Sequence, residues 1–124
     1  MAKLTKYEKA ILEKLFHSAI RLRDKAQCKR CGSNVRLSAS HIYPKGTYQK
    51  MRYDIDNALL LCYRCHIHWW HKNPIEAWEW YTKTVDKNIQ ERLKLRSQYT
   101  DKTPQDWKLI KIVLEAKIKE YANE

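Results

Sequence analysis

Apolar residues recur at helical spacing near the start of the chain: Leu4, Tyr7, Ile11, Leu15, Ala19 and Leu22 stand three or four apart, and Leu12, Phe16 and Ile20 widen the stripe. This period predicts an amphipathic helix over residues 5–26. The opposite face carries Lys6, Lys9, Lys14, Arg21 and Arg23, a pattern that fits a solvated surface as well as contact with a polyanion. From Gln27 to Lys72 the helical period stops. Gly32, Asn34, Pro44 and Gly46 punctuate short β-compatible runs at Val35–Leu37, Ser40–Tyr43 and Ala58–Leu61,. The patternless stretch from Lys45 to Asp54 reads as an ordered loop between two strands, the kind of segment that often holds function,.

Helical patterning returns at Asn73-Pro74-Ile75-Glu76, with Asn as N-cap, Pro at the first helical position and Glu reaching back,. The helix that follows should bury Trp78, Tyr81, Val85 and Ile89. Thr103-Pro104-Gln105-Asp106 repeats the device and launches Trp107, Ile110, Leu114, Ile118 and Tyr121 at helical spacing,. The expectation is one α+β domain over 1–124: an N-terminal helix at 5–26, a core at 27–72, and an extension of two helices at 73–124,.

Composition sharpens this picture. One Phe and two Met stand against five Trp and eight Tyr, so much of the apolar mass lies in rings that keep a polar edge,. Twenty-five Lys and Arg against 14 Asp and Glu give a net charge of +11, which points to a polyanionic partner, nucleic acid first,. A membrane partner is not expected, because no apolar run approaches the ~20 residues needed to span a bilayer. Met1-Ala2-Lys3-Leu4 leads into a helix rather than an apolar secretory segment, so the expected location is the cytoplasm,.

The four cysteines form two Cys-x2-Cys pairs, Cys28/Cys31 and Cys62/Cys65, with 30 residues between the pairs. Such knuckles without an export signal predict thiolates on Zn²⁺ rather than disulfides. A site closed by four cysteines is structural, and it would tie together the two ends of the middle segment. Inside that segment lies His41, whose imidazole, titrating near ~6.5, can take a proton from water at neutral pH. Asn57 is suited to fix its tautomer, and His66 is a candidate ligand for a catalytic cation. Arg36, Lys45, Lys50, Arg52, Arg64 and Lys72 cluster in the same segment as candidate phosphate contacts,.

Ser40-His41-Ile42, Arg52-Tyr53, Asp56-Asn57 and Cys62 to His66, set between two cysteine knuckles, resemble the HNH nucleases with the ββα-metal (His-Me finger) fold, in the branch whose zinc is held by four cysteines. The resemblance covers Cys28 to about His71 and is similar in detail to small phage HNH proteins of the NinG/Rap recombination type. It implies a metal-dependent DNA endonuclease of a phage or its bacterial host, with a zinc-stapled ββα core, His41 as general base, Asn57 orienting it, and His66 binding a catalytic Mg²⁺ or Mn²⁺. Similarity to a junction-resolving phage enzyme with a four-cysteine zinc implies recombination or branched DNA as the setting, and because one active site per chain cuts both strands most easily in a dimer, the expected assembly is a homodimer through the aromatic C-terminal helices.

One position departs from the family pattern. Where many HNH enzymes carry Asp or His before the base, this chain has Ser40, a weak ligand. Asp54, Asp56, His68 and His71 are the candidate replacements. His66 and His71, five apart, would diverge on a regular helix, whereas His68 and His71 would share a face,. The alternative to catalysis is a zinc-dependent nucleic-acid-binding module without activity.

Overall fold

The computed structural model describes residues 3–98 and 105–124. Helix α1 (Lys6–Arg23) opens with a full capping box, in which the Thr5 hydroxyl accepts from Glu8 N–H at 3.1 Å and the Glu8 carboxylate accepts from Thr5 N–H at 2.8 Å. It buries Leu12, Phe16, Ala19 and Ile20, as its period predicts. The helix stops short of residue 26 because Lys25 and Ala26 take left-handed φ of 60° and 53°, which reverses the chain toward the first cysteine,. Asp24, buried at this turn, accepts from the Arg23 guanidinium and from Leu60 N–H at 2.9 Å, which fastens the helix end to the sheet.

Two antiparallel strands follow, β1 (Leu37–His41) and β2 (Ala58–Cys62), in a register that sets His41 opposite Ala58 and Leu37 opposite Cys62. All five residues of β2 are buried. Its alternate side chains serve different clusters: Ala58 and Leu60 join Leu12, Phe16, Ile20, Tyr53 and Leu114, while Leu59 faces Ile42, Met51, Tyr81 and Leu93, and Leu61 joins the cysteines with Trp69 and Ala77. The apolar run of β2 is therefore that of a strand covered on both faces. Between the strands the chain makes 3-10 turns at Gln49–Met51 and Ile55–Asn57.

After β2 a single turn, α2 (Tyr63–Cys65), widens into a π-helical turn over His66–Trp70. Helix α3 (Pro74–Thr84) follows, but the expected long helix is broken. Val85 is extended, with ψ 144°, and the Asp86 carboxylate caps a new helix, α4 (Lys87–Ser97), by accepting from Asn88 and Ile89 N–H. Gln90 donates to the Thr82 and Val85 carbonyls and seals the break. Among its described residues the C-terminal extension thus holds three helices rather than two, the last being α5 (Trp107–Ala122), capped by Asp106. The Thr103-Pro104 part of the predicted start lies outside the described residues. Leu114 of α5 packs into the α1 core, and Lys25 pairs with Glu124 at 3.6 Å where the two helices end together. No helix among the described residues is long and apolar enough to cross a membrane.

Candidate active site

The two knuckles converge. Ligand atoms of Cys28, Cys31, Cys62 and Cys65 all lie within 4.8 Å of one another, with Cys31 and Cys62 Sγ 3.6 Å apart. Zn–S bonds of about 2.3 Å in a tetrahedron separate the sulfurs by about 3.8 Å, so the set fits Zn²⁺. Gly32 follows the first pair at φ +80°, a conformation that favours glycine, and its N–H closes the knuckle by donating to Cys28 O at 2.9 Å,. Burial raises the Cys28 thiol, but backbone N–H groups of Cys31, Cys62 and Arg30 more than offset it and bring it down to about 7. Burial pushes Cys65 the other way, up to about 12. Arg30 covers the cluster: its guanidinium lies 3.8 Å over the Trp69 ring and donates to Cys65 Sγ at 3.6 Å. That contact engages Arg30 with the cysteine cluster rather than with solvent.

A cleft of about 480 Å³ opens beside the zinc-binding cluster, lined in part by His41, Lys45, His66, Trp70, His71 and Trp78. His41 ends β1, and its Nε2 lies 2.8 Å from the Arg52 carbonyl. A carbonyl only accepts, so Nε2 carries the proton and Nδ1 keeps its lone pair for another partner. The ring stacks on Phe16 at 5.4 Å and 18°. Burial lowers the His41 pKa below its ordinary 6.5, partly countered by the Arg52 carbonyl, so the imidazole is neutral at neutral pH.

The Asn57 side chain makes no hydrogen bond to the His41 ring among the described residues, contrary to the tautomer-fixing role its chemistry suggested. Fully buried, its Oδ1 accepts from Tyr43 N–H at 2.8 Å and its Nδ2 donates to the Tyr43 and Met51 carbonyls at 3.0 Å each. It clamps the two ends of the loop that carries Lys45 and Arg52. The group on His41 is the Arg52 carbonyl. The Arg52 side chain turns away from the cleft, donating from Nε and Nη2 to Glu13 Oε1 at 2.7 and 2.5 Å, and is engaged with protein rather than free for phosphate.

His66 Nδ1 is hydrogen-bonded to Ser38 Oγ at 2.8 Å, which leaves Nε2 as the nitrogen available to a ligand. Burial, reinforced by the charges of His71, His41 and Lys45, lowers its pKa to about 4. His71, expected to diverge, comes back to His66: in the π turn His71 N–H donates to the His66 carbonyl five residues earlier, and the ring centroids stand 4.7 Å apart,. Both tryptophans support this turn. Trp69 packs in the cysteine cluster and donates to Glu76, whose carboxylate is thereby used instead of capping α3, while Trp70 donates to the His41 carbonyl at 3.2 Å.

Ser40 stays out of the cleft. Alternation along β1 turns its side chain away from His41, and its hydroxyl is fully buried with no hydrogen-bond partner among the described residues,. Asp54 and Asp56 are held by Arg96 at 2.6 and 2.8 Å, and His68 packs edge-on against Tyr63 at 5.4 Å. Of the candidate replacement ligands only His71 lines the cleft. Lys45 lines it too, whereas Lys50, Arg64 and Lys72 are exposed outside it and Arg36 lies 4.2 Å over the Tyr63 ring. None of these five cations has an ion-pair partner among the described residues. Helical spacing placed Trp78 in the core, but it is 46% exposed and walls the cleft. Ser38 and Phe16 carried no signal in the sequence beyond a strand position and an apolar stripe.

No curated protein and no solved structure matches the chain. Residues 28–69 match the family model described as HNH endonuclease, a span that takes in the four cysteines, His41, Asn57 and His66 and ends before His71. Residues 28–69, which hold the four-cysteine cluster, are therefore similar to the HNH endonuclease family over about a third of the chain.

Proposed function

We propose that this protein is a metal-dependent DNA endonuclease. The observation that carries the reading is one cleft lined by His41, His66, His71 and Lys45, in which His41 keeps a free Nδ1. His41 Nδ1 takes a proton from water as the water oxygen bonds to phosphorus. The P–O3′ bond breaks, leaving a 5′-phosphate, and the departing 3′ oxygen takes a proton from solvent. A divalent ion held by His66 and His71 would supply positive charge beside the phosphate and the leaving oxygen. Lys45 binds phosphate in the cleft, and Arg36, Lys50, Arg64 and Lys72 extend the contact along the backbone.

The donor set bears on the choice of ion. Three imidazoles, His41 as the base and His66 and His71 as the ligands, and no carboxylate line the cleft among the described residues, which suits Ni²⁺, Zn²⁺ or Fe²⁺ better than the oxygen-seeking Mg²⁺ of the family expectation, with Mn²⁺ between them. The proposal includes a phage setting, action on branched or recombining DNA, and a homodimer through the C-terminal helices, whose α5 exposes Leu109, Ile112 and Val113.

The test is supercoiled-plasmid cleavage with Mg²⁺, Mn²⁺, Ni²⁺ or chelator, for wild type and His41→Ala. Loss of the general base should lower the rate by ~10²–10⁴. If the two proteins behave alike with every ion while both bind DNA, the alternative of a non-catalytic zinc-dependent nucleic-acid-binding module stands instead.

A further inference from the structure

We propose that Glu13, on α1 and outside the residues that match the HNH family, is a positioning residue for His41. The proposal rests on the nuclease reading of the cleft. Nothing in the β-ladder holds Arg52, which sits in the loop between the strands, yet its carbonyl is the sole hydrogen-bond partner of the His41 ring among the described residues. The 3-10 turn fixes the Arg52 backbone, its N–H donating to Gln49 O at 3.2 Å, and the side chain adds a second hold, because Arg52 Nε and Nη2 converge on a single oxygen, Glu13 Oε1, at 2.7 and 2.5 Å. Phe16, three residues on and therefore on the same side of α1, stacks against the face of the imidazole at 5.4 Å,. Helix α1 thus holds the base twice, through ring stacking and through Arg52.

A purely structural reading of the pair is weak. The Glu13 and Arg52 side chains are 38% and 28% exposed, and ion pairs of that exposure contribute little to stability. Geometry at a reacting group is far more sensitive, since a displacement of about 1 Å there can cost ~10²-fold in rate. Without Glu13, the arginine swings free, the Arg52 carbonyl keeps only its turn and loses the hold that ties it to α1, and His41 is less tightly confined to the Nε2–H tautomer with Nδ1 free.

Three measurements on the zinc-loaded protein test this: kcat and KM for DNA cleavage, additivity with His41→Ala, and the His41 tautomer read from long-range ¹H–¹⁵N correlations of the ring. Glu13→Ala should lower kcat by ~10–10²-fold with KM within about twofold. Glu13→Gln, which keeps an acceptor oxygen, should recover most of that rate. Glu13→Ala should cost nothing further in a His41→Ala background and should mix the tautomers. Unchanged kcat and tautomer in Glu13→Ala, a change in KM alone, or an equal loss in the His41→Ala background would overturn the proposal. If wild type cuts no DNA with any ion, the nuclease reading fails by itself, and the tautomer measurement still decides whether Glu13 holds His41.

Discussion

Asn57 offers the sharpest test of the site's architecture, because its chemistry and its geometry assign it different tasks. Asn57→Ala removes three buried hydrogen bonds, one accepted from Tyr43 N–H and two donated to the Tyr43 and Met51 carbonyls. At about 0.5–1.5 kcal/mol net for each bond, with a further penalty for the N–H left unpaired, the loss comes to ~3 kcal/mol. That is a large fraction of the ~5–15 kcal/mol that holds a domain folded. It corresponds to a fall in Tm of about 10–15 °C for a chain of this size. Asn57→Asp should be worse at neutral pH, since its carboxylate would face two carbonyls. Burial among acceptors raises the folded pKa of that carboxyl, so the deficit is smallest below its unfolded value near ~3.9 and grows as pH rises through the folded one.

Urea unfolding with Zn²⁺ in constant excess measures both variants, and cleavage assayed well below the lowered Tm separates folding from chemistry. The expectation is a large stability loss accompanied by misplacement of the Lys45–Arg52 loop. An Asn57→Ala protein as stable as wild type to within about 0.5 kcal/mol, yet inactive, would refute the clamp and return Asn57 to direct action on His41.

Zinc binding should release protons and strengthen with rising pH, because the Cys65 thiol lies near 12 without metal,. Titration calorimetry in buffers of different ionisation enthalpy checks this, and pH-independent affinity would contradict it. The acid limb of cleavage should lie below pH 6.5, since the base must be neutral and burial lowers its pKa; a midpoint at or above 6.5 would remove His41 from that role. Ser40→Ala deletes a buried hydroxyl with no partner among the described residues and should be neutral or stabilising by up to ~1 kcal/mol with cleavage retained. Loss of activity there would restore Ser40 as a ligand.

What could be read from the sequence was what is local. The cysteine spacings, the apolar period of α1 and the run Ala58–Leu61 each depend on neighbours within a few residues, and each formed as predicted, though β1 joined parts of two predicted runs. What escaped depends on partners far along the chain. Arg52 has the charge of a phosphate contact, but Glu13, 39 positions earlier, claims it. Asn57 has the chemistry to orient an imidazole, but Tyr43, 14 positions earlier, takes it from both sides. Val85 keeps the helical period across a break made by Asp86 and Gln90. Period and charge report what a side chain can do, and tertiary packing decides which of several competent partners it meets.

The π turn shows how these departures fit together. On a regular α-helix two residues five apart lie about 140° from each other, so His71 could not face the cleft with His66. Widening the turn by one residue closes that angle, at the expense of backbone geometry that rarely persists without outside support. Here the support is visible: Trp69 is buried against the cysteine cluster and Trp70 donates to the His41 carbonyl, so the π turn is pinned to the cysteine cluster on one side and to β1 on the other. Ser40 is not available as a ligand, because the pleat of β1 turns it into the protein. The same cysteine cluster that closes the frame therefore also sets the turn that carries His71 to the cleft, and the second histidine depends on that frame in a way that a ligand beside His41 on β1 would not.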